Sequence, residues 1–350
     1  RALAQGGQDN ATVQVVRIMR LGRENLADMM AEARRLSLPP RLKAGEQLDD
    51  FEVLELLHES RASLLYRVKN LLNGQICVLK TLQPQLADDA ESCNGLVNEE
   101  WLGRRVVSHY FTQVLPIPPE RRSCLYYVMS WHVGATLQHK LDTGQHFSVA
   151  DVASSGIRLV KGLAALHRLN IVHRDIKPAN LHLGEDGKLR ILDLGVALNS
   201  NTHNTLAPGN PGTPSFMAPE LFTGAVADVQ CDLYAAGVTL YYLLTRRYPY
   251  GEIEPFQRPR FGNPVSPTRY RPDIPQWLEN IVLKAVALDR NIRFETAEEM
   301  LLALEVGERK PLVSSPRTSL AERNPLLLWQ WIAVFSILVN VLLIYLLVVT

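Results

Sequence analysis

The spacing of apolar residues predicts a strand-rich part followed by a helical part. Short apolar runs at 56–57 and 65–68 flank a polar turn, and the apolar run at 76–79 is typical of a strand. Apolar residues at helical spacing predict helices at about 150–169, 276–289 and 296–306. Between these regions, two short apolar runs flank a Glu-Asp-Gly turn at 185–187, and this arrangement predicts a β-hairpin.

The segments 21–50 and 307–324, before and after these predicted strands and helices, contain long polar stretches. Between 21 and 40 the apolar residues near helical spacing are Leu26, Met29, Met30, Ala33 and Leu36. They predict a short amphipathic helix that ends at Pro39-Pro40, so that 21–50 forms a helix and a polar linker. Residues 307–324 are polar, contain prolines and predict a second linker.

The C-terminal segment 325–350 predicts a single membrane helix. No charged residue occurs from 326 to 349, and these about 24 residues would form about 36 Å of helix against a hydrocarbon core of about 30 Å. A buried helix of a soluble protein is the alternative. Arg317 and Arg323 precede the segment and no Lys or Arg follows it, so we expect the preceding domain on the cytoplasmic side, at the inner membrane of a bacterium.

Charge and cysteine content exclude some classes of function. Lys and Arg total 37 against 36 Asp and Glu, which gives no indication of a nucleic-acid partner. The four cysteines are scattered without C-x-x-C spacing, which argues against a disulfide framework or a zinc site. The chain begins with Arg1, and we expect it to be the downstream part of a longer protein.

The residues at 173–180, His-Arg-Asp-Ile-Lys-Pro-Ala-Asn, place a base, a cation and an amide close together. They resemble the catalytic loop of protein kinases, written H-R-D-x-K-P-x-N in the Ser/Thr branch. The resemblance implies that Asp175 accepts the proton of the substrate hydroxyl. It also implies that Lys177 stabilises the transferring phosphoryl group and that Asn180 holds a metal ion.

An apolar strand that ends in lysine, Ile-Cys-Val-Leu-Lys at 76–80, resembles the V-A-I-K strand of the same family. This implies that Lys80 binds the α- and β-phosphates of ATP and pairs with a glutamate on the next helix. Counting to the following strand favours Glu99 and leaves Glu100 as the alternative. With Glu99 in that role, Gly103 occupies a position where the family packs a bulky side chain, and we expect a loosely held helix.

Further matches and departures concern the nucleotide. The resemblance places His58, Ser60 and Ser63 at the three glycine positions of the loop that covers the ATP phosphates. It places Met129 at the back of the adenine pocket, and the backbones of Ser130 and His132 at the adenine edge. His182 stands where an aliphatic side chain usually packs on the adenine, and a neutral imidazole would stack there.

The segment 193–220 resembles a kinase activation segment. Asp-Leu-Gly at 193–195 is similar to the D-F-G motif, which implies that Asp193 binds the Mg²⁺ that bridges the phosphates. We expect a phosphate on Thr202 or Thr205, with Thr205 favoured, to pair with Arg174 and order the loop. The alternative is that both threonines are solvated loop residues.

Three residues match structural positions of the family. Glu220 ends the Gly-Thr-Pro-Ser-Phe-Met-Ala-Pro-Glu segment, and the resemblance implies that it pairs with Arg293. Asp232 matches the aspartate that accepts hydrogen bonds from the catalytic loop. The resemblance covers 51–306 and implies an α+β, two-lobed protein kinase fold with a small β-rich N-lobe and a helical C-lobe.

Residues 1–20 contain a turn and a β-branched run that resemble the end of a metal-dependent PP2C-type phosphatase domain, in which Asp9 matches a metal-binding aspartate. An ordinary loop before a strand is the alternative. The whole order is similar to bacterial proteins that fuse such a phosphatase to a kinase.

The resemblance therefore implies a membrane-anchored kinase that transfers phosphate from ATP to Ser/Thr hydroxyls of proteins, with Mg²⁺, or else Mn²⁺, as cofactor. Its rival is a pseudokinase that binds nucleotide or partner proteins without catalysis. The altered glycine positions, Gly103 and His182 favour the rival. The retention of Lys80, Asp175, Asn180 and Asp193, which phosphoryl transfer requires, opposes it.

Overall fold

The computed structural model describes residues 25–195, 197–199, 213–254, 259, 261–307, 309, 330, 333, 335 and 336. The strands in this part of the chain are Gln47–Leu48 (β1), Phe51–Glu59 (β2), Ser63–Asn70 (β3), Ile76–Leu82 (β4), Val114–Leu115 (β5), Tyr127–Ser130 (β6), Gly134–Thr136 (β7), Ile171–Val172 (β8), Leu181–Gly184 (β9), Leu189–Ile191 (β10) and Leu198–Asn199 (β11). The helices are Leu26–Ala33 (α1), Ala90–Arg105 (α2), Leu137–Asp142 (α3), Val149–His167 (α4), Val229–Thr245 (α5), Gln276–Ala285 (α6) and Ala297–Val306 (α7).

The N-lobe is an antiparallel sheet with the strand order β1-β2-β3-β4-β6-β5. Buried and partly exposed residues alternate along most of β3, because successive side chains of a strand point to opposite faces. The buried face of the sheet includes Phe51, Val53, Leu64, Tyr66, Val68 and Leu79. The helix α2 also belongs to this lobe and carries Glu99 toward β4.

The C-lobe is built around α4 and α5. A capping box between Ser148 and Asp151 begins α4, and its apolar face packs into the main hydrophobic core. The helix α5 is buried on nearly all sides, which explains why its apolar residues show little preference for one face. Gly237 allows this close packing, because a Cβ there would lie 2.6 Å from the Cβ of Ala285 on α6.

The two-lobed fold agrees with the prediction, and the β9–β10 hairpin lies where the sequence placed it. The segments before residue 51 differ from expectation. The first helix ends at Ala33, so that Leu36 lies beyond it. The predicted polar linker at 39–50 contains β1 and two core residues, Leu42 and Leu48, and is therefore part of the N-lobe.

The predictions for the two ends of the chain concern residues that the structure describes only in small part. The phosphatase-like segment 1–20 lies outside the described residues, as do most of 307–324 and most of the predicted membrane segment 325–350. Among the residues that the structure describes, no helix has the length and apolar character needed to cross a membrane. All four cysteines are described and are free thiols.

Candidate active site

Asp232 on α5 anchors the loop that contains the predicted base. Its carboxylate is fully buried and accepts hydrogen bonds from the backbone N–H groups of His173 and Arg174, both at 2.8 Å. The imidazole Nε2 of His167 lies 2.9 Å from the same carboxylate. Arg174 adopts a φ of 71°, a left-handed conformation that costs free energy in non-glycine residues. The paired backbone bonds to Asp232 hold the loop in this conformation.

The catalytic loop brings Asp175, Lys177 and Asn180 together. Lys177 Nζ lies 2.8 Å from Asp175 Oδ2, and Asn180 Nδ2 donates to the same oxygen at 2.9 Å. The other carboxylate oxygen, Asp175 Oδ1, is buried and finds no hydrogen-bond partner among the described residues. A buried acceptor without a donor is unfavourable. A substrate hydroxyl that donated a hydrogen bond to this oxygen, and later its proton, would remove this cost.

Lys80 is held between two carboxylates. Its Nζ lies 2.7 Å from Glu99 Oε1 and 3.1 Å from Asp193 Oδ1. Glu100, the alternative partner, points away from Lys80 and pairs with Arg104 and Arg122 at 2.7 and 2.8 Å. The structure therefore places Glu99 against Lys80, as the counting argument favoured.

These charges shift one another's pKa values. Burial, together with the nearby charge of Asp193, raises the pKa of Glu99 to about 7, although Lys80 opposes the shift. The pKa of Asp193 is held well below its usual range, because the charge of Lys80 and the N–H of Gly195 outweigh the effect of burial. Asp193 is therefore ionised at neutral pH. Its backbone adopts a left-handed conformation with a φ of 63°.

The hairpin between β2 and β3 contains the residues at the predicted glycine positions. Ser60 Oγ accepts hydrogen bonds from the N–H groups of Ala62 and Ser63, at 3.2 and 2.9 Å. The N–H of Ser60 donates to the carbonyl of Ser63 at 2.9 Å, while His58 is exposed and pairs with Leu65 across the hairpin. Because these N–H groups already have partners, the turn is closed on itself and must open to offer them to a phosphate.

The predicted adenine residues lie at the end of β6 and just beyond it. Met129 and Ser130 are in the strand, and Ser130 Oγ lies 3.1 Å from His132 Nε2. Burial, together with the positive charge of Arg190, lowers the pKa of His132. Burial and the positive charge of Arg190 also lower the pKa of His182. The Nδ1 of His182 has no hydrogen-bond partner among the described residues. Both imidazoles are therefore neutral at neutral pH.

The activation segment is attached to the C-lobe at its end. Arg293 donates to both carboxylate oxygens of Glu220, at 2.7 and 2.8 Å, as the resemblance implied. Lys177 Nζ also donates to Thr213 Oγ1 at 2.9 Å, which links the catalytic loop to this segment. Thr202 and Thr205 lie outside the described residues.

Sequence reasoning missed two residues that belong to this arrangement. Tyr127 lies opposite Lys80 in the sheet and hydrogen-bonds Glu99, and its burial among carboxylates raises its pKa well above the usual value. The strand register between β4 and β6 is the signal that would have identified it. His167 lies at the end of α4, and only the packing of α4 on α5 brings it to Asp232.

Comparisons with known proteins agree with this geometry. The family model described as the protein kinase domain matches residues 51–301. The chain belongs to the protein kinase family. The probable serine/threonine-protein kinase SCO3848 of Streptomyces coelicolor is 34% identical over 272 residues, which cover 73% of this chain. The serine/threonine-protein kinase PrkC of Bacillus subtilis is 28% identical over 254 residues, or 71% of this chain.

A solved structure is also similar to this kinase domain. The kinase domain of Mycobacterium tuberculosis PknI aligns with a TM-score of 0.58 and 25% identity, and covers 76% of this chain and 99% of that chain. The alignments with the two curated relatives cover 39% of the length of each relative. The matched region is thus a bacterial protein serine/threonine kinase domain, and it is a part of the relatives' full length.

Proposed function

We propose that this chain transfers the γ-phosphoryl group of ATP to serine and threonine hydroxyls of protein substrates. The observation that carries the proposal is the buried, unpartnered Asp175 Oδ1 beside Lys177 and Asn180. An oxygen in this environment accepts a hydrogen bond from the hydroxyl of the substrate. It takes the proton of that hydroxyl as the new bond between oxygen and phosphorus forms. Lys177 would offset the negative charge that develops on the transferring group.

The second part of the proposed mechanism is the ammonium group of Lys80. Its pKa is raised because the charges of Glu99 and Asp193 outweigh the effect of burial, so it is fully protonated at neutral pH. The pair with Glu99 holds this cation where it would bind the α- and β-phosphates, and thus orient the γ-phosphoryl group for in-line attack.

The residues present fit a divalent cation of the Mg²⁺ type. Asp193 is an ionised carboxylate that is half exposed. The Nδ2 of Asn180 donates to Asp175, so the Oδ1 of Asn180 is left for a metal. Carboxylate and amide oxygens are the ligands that Mg²⁺ prefers, and Mn²⁺ accepts the same set. When bound, the ion would neutralise phosphate charge. Asp193 and Asn180 would hold it.

The test is transfer of radiolabelled phosphate from ATP by the full chain, measured on a Ser/Thr protein substrate and on the chain itself. We expect Mg²⁺-dependent transfer by the wild type and at least a hundredfold loss in Asp193→Asn, because a positioned charge contributes several kcal/mol. If the wild type binds ATP and Mg²⁺ but transfers no more than Asp193→Asn, the chain is a pseudokinase. The self-closed turn at Ser60 and the exposed His58 are the observations in favour of that alternative.

We also propose that residues 325–350 anchor the kinase to a bacterial inner membrane, with the kinase domain in the cytoplasm. The support is the charge-free run from 326 to 349 and the arginines that precede it. Deletion of 325–350 should release a folded, soluble kinase from the membrane fraction. A deleted protein that still sediments with membranes contradicts the anchor, and cleavage of the kinase domain by protease outside intact cells contradicts the orientation.

We further propose that residues 1–20 are the end of a PP2C-type phosphatase domain. The support is the turn that contains Asp9 and the β-branched run that follows it. The reading frame upstream of the Arg1 codon tests this proposal. If it does not encode the remaining metal-binding aspartates of such a domain, the proposal is wrong.

A further inference from the structure

The short helix α1 covers one face of α2, the helix that carries Glu99. Met29 of α1 is buried in a cluster with Leu96 and Val97 of α2, and their exposed fractions are 9%, 3% and 2%. Leu26, Met30 and Ala33 of α1 and Cys93 of α2 are partly buried in the same cluster. The apolar face of α1 therefore packs against the N-lobe.

The first turn of α1 is capped locally, and the chain that follows α1 is attached to the N-lobe. Asn25 caps its first turn by accepting a hydrogen bond from the N–H of Asp28 at 2.8 Å. After the helix, the carbonyl of Ser37 accepts a hydrogen bond from the N–H of Leu125 at 2.9 Å, and Ser37 forms a parallel bridge with Cys124. The cap is local to α1, whereas the contacts of Ser37 attach the chain that follows α1 to the N-lobe.

Further along α2, the helix has no side chain at Gly103, which lies seven residues after Leu96 and thus on about the same face. Gly103 is one turn beyond Glu99, and a Cβ there would lie 2.4 Å from Val114 Cγ2. Val114 therefore fills the space that a side chain on α2 would occupy. No side chain at position 103 anchors this turn of α2, and the helix relies on contacts elsewhere on its surface.

We propose that α1, through Met29, is a positioning element that holds α2 where Glu99 reaches Lys80. The proposal rests on the kinase function proposed above. Met29 is buried in one cluster with Leu96 and Val97, which are three and two residues before Glu99, so a loss of α1 would allow α2 to move or rotate. The 2.7 Å ion pair of Glu99 with Lys80 would then be lost, and with it the orientation of the ATP phosphates.

The test compares two variants of α1 in the full chain. Met29→Glu places a carboxylate in the apolar cluster, which is strongly unfavourable and detaches α1. Ala31→Glu places the same group on the exposed face of the same helix and serves as the matched control. We expect kcat/KM for ATP to fall at least tenfold in Met29→Glu and to stay within twofold of the wild type in Ala31→Glu. Unchanged kcat/KM in Met29→Glu overturns the proposal.

A double-mutant cycle separates positioning from general destabilisation. If α1 acts through Glu99, Met29→Glu should lower kcat/KM less than threefold in a Glu99→Gln background. Multiplicative losses in the double variant would show that Met29 acts by another route, and would overturn the proposal. The Glu99→Gln variant also sets the upper limit on the expected loss in Met29→Glu.

The cysteines report the position of α1 and the integrity of the fold. Detachment of α1 should speed alkylation of Cys93, measured by mass spectrometry, while the buried Cys77 and Cys231 stay protected. If Cys77 and Cys231 also react, the carboxylate has unfolded the protein, and Met29→Ala carries the same comparison. If the wild type transfers no phosphate, the proposed function fails, and the loss of ATP affinity in Met29→Glu then decides this inference by itself.

Discussion

The ion pair between Glu220 and Arg293 attaches the end of the activation segment to the C-lobe, and its removal should destabilise the domain strongly. The side chain of Arg293 is 0% exposed and that of Glu220 12%. The guanidinium also donates to the carbonyls of Ala287 and Leu288, at 2.6 and 3.2 Å. In Glu220→Ala these neutral acceptors remain, but the buried positive charge loses its carboxylate.

The magnitude follows from the geometry. Two unit charges about 4 Å apart interact by about 4 kcal/mol at an effective dielectric constant of about 20. Breaking a buried ion pair by removing one partner typically costs about 3–5 kcal/mol. Arg290 does not replace the lost interaction, because it is a second cation, 3.9 Å from Glu220. We therefore expect Glu220→Ala to lower the free energy of unfolding by about 3–5 kcal/mol, a large share of the about 5–15 kcal/mol typical of a domain.

The assay is equilibrium unfolding in urea, followed by tryptophan fluorescence in the full chain. The midpoint should fall in Glu220→Ala, while Glu220→Ala/Arg293→Met should lose less than the sum of its two single variants. A loss below about 1 kcal/mol in Glu220→Ala, the value of an exposed pair, would refute the reasoning.

The pH dependence provides a second check on the same pair. Burial alone would raise the pKa of Glu220, but the hydrogen bonds and charge of Arg293 hold it below its usual range. An acid whose pKa is lower in the folded state stabilises the fold above its unfolded pKa, and this contribution is lost as the pH falls through the folded pKa. The difference in stability between wild type and Glu220→Ala should therefore be full above about pH 5 and shrink below about pH 4.3.

Two further predictions concern α2 and the activation loop. In Gly103→Ala the new Cβ would lie 2.4 Å from Val114 Cγ2, so we expect a loss of about 1–3 kcal/mol in urea unfolding, and recovery in Gly103→Ala/Val114→Ala. A Gly103→Ala protein as stable as the wild type would contradict this packing. We also expect mass spectrometry of active protein to find phosphate on Thr205, whose charge of about −1.5 to −2 would pair with Arg174. Full activity of a Thr202→Ala/Thr205→Ala variant would contradict that role.

The resemblance to protein kinases was sufficient to predict the catalytic loop and the order of the lobes. The residues at 173–180 lie within eight positions of one another, so their spacing already restricts how they meet. The hydrophobic period predicted α4, and the two short apolar runs around the turn at 185–187 predicted the β9–β10 hairpin, since a helix or a hairpin is formed mainly by contacts close along the chain.

Tertiary structure decided which residues meet across the fold. Glu99 and Glu100 are neighbours in the sequence, and only the packing of α2 against β4 directs Glu99 to Lys80 and Glu100 to Arg104 and Arg122. The polar composition of 39–50 predicted a linker, because the burial of Leu42 and Leu48 depends on the sheet beside them. The contact of Met29 with α2 likewise joins segments about 67 residues apart. Such contacts depend on the shape of both partners, and the pattern of either segment by itself does not contain that information.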